Sequence, residues 1–306
     1  MLRGRRGVAL MLVLWLIVVL GTIAVGVAAL VRGEADVTRN LRTRAVARYG
    51  AESGIVAATW RLKELLRAAE TPRDQALLFR RLDQLVAEIQ HEQVGDATQF
   101  QVAVMDLDAR LDLNAADEPT LQAFLGQFVA TGQAKQLAAA LEDWRDDDDL
   151  TRAEGAEAAE YERAGSPFRP ANRPLQRLDE LTRIKGFTDS LAARIAPYVT
   201  VNGDGRVNLN TAALPVLTAL MGAAQAAAIV SQREHGEVFT SLAELRRGAS
   251  FDLARLTTMP KRVLFVSRGW ETGQALTHEI QAIYDLDAVR LGQPQLIVRF
   301  WTERDR

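Results

Sequence analysis

The 306-residue chain contains no cysteine, only three histidines and only 6% aromatic residues. Without cysteine it can form no disulfide, offer no thiolate nucleophile and bind no zinc through sulfur. His91, His235 and His278 lie far apart in sequence. That spacing argues against a histidine metal centre or acid–base pair and reads each as a surface residue. Neither Gly-x-Ser-x-Gly nor His-Glu-x-x-His occurs, and no nucleophile, base and orienting group fall into a recognisable set. The chain reads as a non-enzyme. A strong charge of one sign is missing too. Lys and Arg number 37 against 39 Asp and Glu, which excludes general affinity for nucleic acid or anionic lipid. Long apolar runs are also absent, with one exception.

The exception is residues 8–31, 24 positions without a charge, preceded by Arg3, Arg5 and Arg6 and followed by Arg32. A helix of about 20 residues spans the hydrocarbon core of a bilayer. The three arginines hold the N-terminal end in the cytoplasm and leave the rest of the chain outside. A cleaved secretory signal would use Gly26-Val27-Ala28, but its apolar region is normally about 7–15 residues. A plain signal anchor fits the length and the arginines. The third reading rests on Gly7, which ends a short basic leader directly before the apolar run begins at Val8. That arrangement resembles the type III signal of pilins and pseudopilins. The resemblance implies that a prepilin peptidase cuts between Gly7 and Val8 and leaves the helix on the mature protein. Cleavage would remove three arginines, leaving 34 basic against 39 acidic side chains. Most of that family carries Glu at the fifth mature position, which here is Leu12. A carboxylate within an apolar helix bundle is expensive without a partner charge, and the K subunit of type II secretion characteristically lacks it.

Residues 33–69 continue helically, with Val37, Leu41, Tyr49, Val56, Leu62 and Leu66 as apolar positions on a polar ground. Gly33, Gly50 and Gly54 each weaken the helix by about 1 kcal/mol relative to Ala. One long helix is expected, half in the membrane and half packed on a soluble domain, with a break at Gly33 as the alternative.

An internal repeat at an offset of 96 follows. Asp108-Ala-Arg-Leu-Asp-Leu-Asn-Ala-Ala116 is echoed by Asp204-Gly-Arg-Val-Asn-Leu-Asn-Thr-Ala212, and the match continues through Pro119 and Pro215, Leu121 and Leu217, and Gly126 and Gly222. Each copy reads as a strand end, an Asn or Thr cap, a proline early in a helix, and an apolar-faced helix ending near glycine. Both later contain Leu-x-Glu-Leu, at 178–181 and 242–245. The first copy holds roughly thirty extra residues, about 145–174. Alternation marks strands at 99–105 and 195–202 and three C-terminal runs, 262–270, 275–289 and 295–301, whose turns make an antiparallel meander. The expected fold class is α+β: a long N-terminal helix packed on an antiparallel sheet, with a large, mostly helical domain inserted in the sheet. Its parts are a leader (1–7), the transmembrane part of the helix (8–31), the sheet domain (32–109, 196–208 and 261–306) and the inserted domain (110–195 and 209–260), which carries an acidic loop at 143–174.

The resemblance now covers nearly the whole chain. Asp-Trp-x-Asp-x-Asp-Asp at 143–149, Gly-Ala-Glu at 155–157, Asn-Arg-Pro-Leu at 172–175 and Leu-x-x-Ile-x-Gly at 181–186 resemble the K-type minor pseudopilin (GspK) family of type II secretion. Membership would imply a single-pass protein of the inner membrane with a periplasmic C-terminal region, capping the tip of a pseudopilus. It would also imply a methylated N-terminus, and the I-, J- and H-type minor pseudopilins and the major pseudopilin as partners.

Asp143, Asp146, Asp147, Asp148 and Asp149 fall within seven positions, followed by Glu154, Glu157 and Glu160. Consecutive like charges repel, and a calcium ion, which takes six to eight oxygens from a flexible loop, would relieve them. By residue type alone, a calcium site and a solvated acidic loop both stand. The resemblance favours calcium, with Asp143, Asp146, Asp148, Asp149, Glu154 and Glu157 as its candidate ligands. Paired catalytic carboxylates sit across a cleft rather than in one loop, which argues against a hydrolase. The remaining alternative is a membrane-anchored DNA receptor built on helix-hairpin-helix turns at 184–195 and 220–229. Functional turns of that kind use Gly-x-Gly, and here the second glycine is replaced by Thr188 and Ala224 amid acidic or neutral charge. No nucleic-acid partner is expected.

Overall fold

The computed structural model describes residues 5–82, 84, 97–246, 251–287 and 294–306. The first element, α1, runs unbroken from Arg5 to Ala68, about 95 Å at 1.5 Å per residue. It passes straight through Gly33, where an added Cβ would meet nothing. In its first half every large apolar side chain from Leu10 to Val31 is exposed. This is the one helix among the described residues long and apolar enough to cross a membrane.

The second half of α1 packs on the sheet through small residues. Ala47, Gly50, Ala51, Gly54, Ile55, Ala58, Leu62 and Leu66 form its inner side. Val37, Leu41, Tyr49 and Val56, read from sequence as part of the apolar pattern, are exposed instead. The reason is distance. A Cβ on Gly269 of the sheet would stand 2.1 Å from the Ala51 nitrogen and 2.2 Å from the Ala47 oxygen. One on Gly54 would stand 2.2 Å from Ser267 Oγ. At Gly269 helix and strand touch backbone to backbone, and only farther along α1 is there room for Ile55, Leu62 and Leu66 to face the core.

The sheet has strand order β1-β6-β7-β8, all antiparallel. The strands are β1 (Thr98–Asp106), β6 (Arg262–Glu271), β7 (Thr277–Asp287) and β8 (Gln295–Asp305). Alternation puts Phe100, Val102, Val104, Val263, Phe265, Ile280, Ala282 and Tyr284 into the core under α1, as period-two patterning requires. A short helix α2 (Pro72–Arg80) follows α1, opened by a capping box between Thr71 and Asp74. His278 departs from its reading as a surface residue. It is 8% exposed, with Nδ1 2.7 Å from Asp305 and Nε2 3.2 Å from Glu303, because the β7–β8 register sets it opposite Asp305.

Between β1 and β6 the chain makes the inserted domain, and its repeat is a structural duplication. The first copy has β2 (Leu111–Asp112), α3 (Glu118–Leu125) and α4 (Thr131–Arg145). The acidic insertion with α5 (Ala158–Arg163), then α6 (Asp189–Ile195) and β3 (Val199–Thr200), follow. The second copy has β4 (Val207–Asn208), α7 (Leu214–Met221), α8 (Ala223–Glu234) and β5 (Leu256–Thr257). Within each copy the two short strands pair in parallel, β2 with β3 and β4 with β5. The repeat asparagines do not cap helices; Asp117 and Ala213 occupy those positions. Instead Asn114 bridges Leu175 and the Val201 carbonyl. Asn210, 96 positions on, bridges Phe239 and the Thr258 carbonyl in the same way. Arg145 at the end of α4 donates to the carbonyls of Leu113 and Ala116. Arg233 near the end of α8 donates to those of Leu209 and Ala212, the repeat-equivalent pair.

One expected boundary moves. Residues 196–208 were assigned to the sheet domain, but Val199, Val201 and Val207 belong to the core of the inserted domain. β3 and β4 find their partners there, inside the duplication.

Two buried aspartates join the parts. Asp106 at the end of β1 accepts from the backbone N–H of Asp108, from Asn208 Nδ2 and from the Thr211 hydroxyl. Asp108 accepts from the backbone N–H of Lys261, where the chain returns to the sheet. Burial, then the charge of Asp106, pushes the Asp108 carboxyl up to about 7, and its Oδ1 has no hydrogen-bond partner among the described residues.

Two outcomes follow. Gly269→Val should cost about 3 kcal/mol or more by overpacking, whereas Gly33→Ala should leave stability unchanged or raise it by up to about 1 kcal/mol; denaturant titration measures both. A carboxyl whose pKa is raised on folding stabilises most below its unfolded value near 4 and loses that contribution as pH rises through about 7. The chain should therefore melt lower at pH 8 than at pH 5.5, and Asp108→Asn should shrink that difference in a thermal melt.

Candidate metal centre

The acidic insertion starts where α4 ends. Helical periodicity turns Asp143 inward, where it is 0% exposed. One Asp143 oxygen accepts from the backbone N–H of Ala156 at 2.8 Å, and both accept from that of Arg152. Gly155 makes this approach possible, since a Cβ there would lie 2.0 Å from Asp143 Oδ2. Asp146 is the C-cap of α4. Glu157 is the N-cap residue of α5, and its backbone N–H donates to Glu160 at 3.0 Å. Trp144 and Tyr161 pack beneath, ring centroids 5.8 Å apart.

The candidate ligands divide sharply. Asp143 and Asp146 share Arg152, and their charges act on Glu157, while Asp148 and Asp149 sit on the exposed rim. Asp149 receives Asn172 Nδ2 at 3.0 Å, and Asp148 accepts from the Leu150 N–H two residues on. Glu154 is exposed on a backbone with φ 68°, a left-handed conformation that serves the turn. Gly7 and Val8 fall in the first turns of α1, and their surroundings lie outside the described residues, as does His91.

Electrostatics mark the inner trio. Glu157 is 3% exposed, and neither of its carboxylate oxygens has a hydrogen-bond partner among the described residues. Burial, then the charges of Asp143, Asp146 and Asp149, pushes its pKa up to about 7. Asp146 Oδ1 and Asn172 Oδ1 are likewise buried without partners among the described residues. Buried oxygens without donors are costly, and a hard cation satisfies several at once. One positive charge already stands there. Arg152 donates to Asp143 at 3.0 Å and to Asp146, and its pKa is raised by the bond to Asp146. Among the described residues no group of three or more Asp, Glu or His side chains is placed as it stands to hold a metal ion. The donor set fits a calcium-type ion in its chemistry, all oxygen and mostly carboxylate, with Arg152 holding two of its members.

Sequence reasoning missed Arg152 and Asn172. Asn-Arg-Pro-Leu was visible as a motif, but nothing local signals that Asn172 folds back on Asp149. The hairpins weighed for DNA spend their donors internally: the Thr188 hydroxyl accepts from the Leu191 N–H as the cap of α6.

Comparison with known proteins bears on this architecture. Two family models, both described as type II secretion system protein K, match residues 101–204 and 207–266. The putative type II secretion system protein K of Escherichia coli K12 is 27% identical over 222 residues, 67% of this chain and 65% of that protein. The type II secretion system protein K of Pectobacterium carotovorum subsp. carotovorum is 33% identical over 112 residues, 34% of each. That of Aeromonas hydrophila is 40% identical over 82 residues, 26% of this chain and 25% of the relative. The chain thus matches less than two thirds of the length of each of these relatives. In fold it resembles a chain from the crystal structure of the GspK-GspI-GspJ complex of enterotoxigenic E. coli, with a TM-score of 0.56 and 18% identity. That likeness covers 84% of this chain and 99% of that one. The two matched regions together exceed half of the sequence and coincide with the duplicated core and its acidic insertion, and the chain belongs to the protein K family of the type II secretion system.

Proposed function

We propose that the chain acts as a minor pseudopilin of a type II secretion machine. The observation that carries this reading is α1. Its first half exposes apolar side chains all round, and its second half is locked on a four-stranded sheet. Such a helix can sit in a bilayer and later exchange lipid for neighbouring helices, since both surround it with apolar surface. Residues 8–31 anchor the protein in the inner membrane, and the rest lies in the periplasm. The inserted domain is bulky and rises from the β1–β6 connection, which suits a subunit capping the pseudopilus tip better than one repeating along it. Minor pseudopilins of the I, J and H types are its proposed neighbours. If isolated complexes held this chain at regular intervals along the shaft, the cap assignment would fail.

Processing between Gly7 and Val8 follows from the same reading. Mass spectrometry of the protein purified from membranes should find Val8 at the N-terminus, with an added methyl group. An intact Met1 or a start near Ala29 would overturn it.

The acidic insertion is proposed to hold calcium between Asp143, Asp146 and Glu157, with Asp149 and Asn172 at the rim. Bound there, the ion would supply charge neutralisation that fixes the loop on the core. Arg152 would have to yield its bonds to Asp143 and Asp146. Calcium at about a hundred times its dissociation constant adds about 2.7 kcal/mol, which for a chain of this size raises Tm by about 5–10 °C. Asp146→Ala should abolish that rise and Glu154→Ala should leave it intact. Arg152→Ala should melt lower without calcium and respond to less of it. A melting temperature indifferent to millimolar calcium would return the loop to a solvated acidic face.

A further inference from the structure

The sheet face turned away from α1 bears a cleft of about 450 Å³. One wall is the sheet, with Leu264, Ile283, Phe300 and Arg304. The other is the inserted domain at residues 176–179 and 200–202, and Arg110 lines it from the link between β1 and β2. Its charge is unlike that of the chain as a whole. Glu279, 1% exposed, is paired with three guanidinium groups at once: Arg268 at 2.7 Å, Arg304 at 2.5 Å and Arg306 at 3.2 Å. Burial alone would raise its carboxyl, but the bonds from Arg268 and Arg304 hold it at about 2, so one fixed negative charge faces three positive ones.

Arg110 adds a fourth. Its hydrogen bond goes to the thioether of Met105, and no carboxylate lies within salt-bridge distance of it among the described residues. Burial lowers its pKa, partly offset by the charge of Asp106, and Asp106 spends its oxygens on Asp108, Asn208 and Thr211. Arg177 is balanced by Asp179 at 2.8 Å. Among the residues that line the cleft, Arg110, Arg177 and Arg304 stand against Asp179 and Glu279, an excess of one positive charge in a protein whose net charge is −2. Guanidinium forks favour carboxylates held in two-point contact. The apolar half of the lining, with Phe300 still 39% exposed, gives such a ligand side chains to bury.

We propose that this cleft binds an acidic, extended segment of a partner polypeptide, its carboxylates on Arg110 and Arg304 and its apolar side chains against Ile283 and Phe300. A small inorganic anion would use the arginines and leave the apolar wall idle. The surface does not depend on the calcium proposed for the acidic insertion, none of whose carboxylates lines the cleft.

The test uses the full chain in detergent micelles and a fluorescein-labelled octapeptide alternating Glu and Leu, read by fluorescence anisotropy. Saturable binding should weaken as salt rises from 50 to 200 mM. Arg110→Gln and Phe300→Ala should each reduce affinity at least tenfold, with melting temperatures within 2 °C of the parent protein. Arg163→Gln, in the acidic insertion, should leave it unchanged. Four results would overturn the proposal: no binding at millimolar peptide, equal binding of a Lys-Leu peptide, equal affinity in Arg110→Gln and Phe300→Ala, or full displacement by equimolar inorganic phosphate.

Discussion

Everything in the sheet domain depends on the closeness of α1 to β6. At Gly269 the strand lies against the backbone of the helix, and Gly50 and Gly54 meet it from the other side. Contact at this range gives dispersion energy from main-chain atoms and leaves no room for a sliding side chain. The helix and the sheet therefore move as one rigid piece. Any force that draws the apolar half of α1 along its axis is delivered to the sheet, and through the β1–β6 edge to the inserted domain.

The inserted domain solves one folding problem twice. In each copy an asparagine ties three backbone groups, and an arginine at a helix end ties two carbonyls. Buried carbonyls outside regular ladders need such donors. Because these ties hold the core, the thirty-odd residues after Arg145 give it little beyond Ala156 and Tyr161 and can concentrate negative charge. The Trp144–Tyr161 pair is the platform on which that loop rests. Charge repulsion that would unravel an isolated loop is tolerated there because the anchoring residues on both sides are already fixed.

Much of this was legible beforehand, for identifiable reasons. A charge-free run of 24 residues is a composition signal that tertiary context cannot erase, and the β6–β8 meander announced itself by alternation and turns. The duplication was visible because the same local contacts demand the same residues at Asn114 and Asn210. The inner face of α1 was not visible, since Ala and Gly carry little hydrophobic signal although they are the residues close packing requires. Nor were the partners of β3 and β4, because two-residue strands encode no register. In the acidic run, helical spacing singles out Asp143, but beyond Asp146 the chain leaves the helix. No period then separates the inward Glu157 from the outward Glu154, and Arg152 enters only through the folded loop.

The register of the sheet sets Asp106 directly opposite Val263, although about 150 residues separate them along the chain. Closing a flexible loop of that size costs about 4 kcal/mol in chain entropy before β1 and β6 gain a single bond. A folded insert removes most of that cost, since Asp108 already holds the Lys261 end beside the end of β1. Loop entropy thereby favours one order of events, in which the inserted domain condenses first and the sheet zips from its junction outward toward Thr98 and Glu271. Lesions in the duplicated core should then show themselves as slow formation of a sheet they never touch.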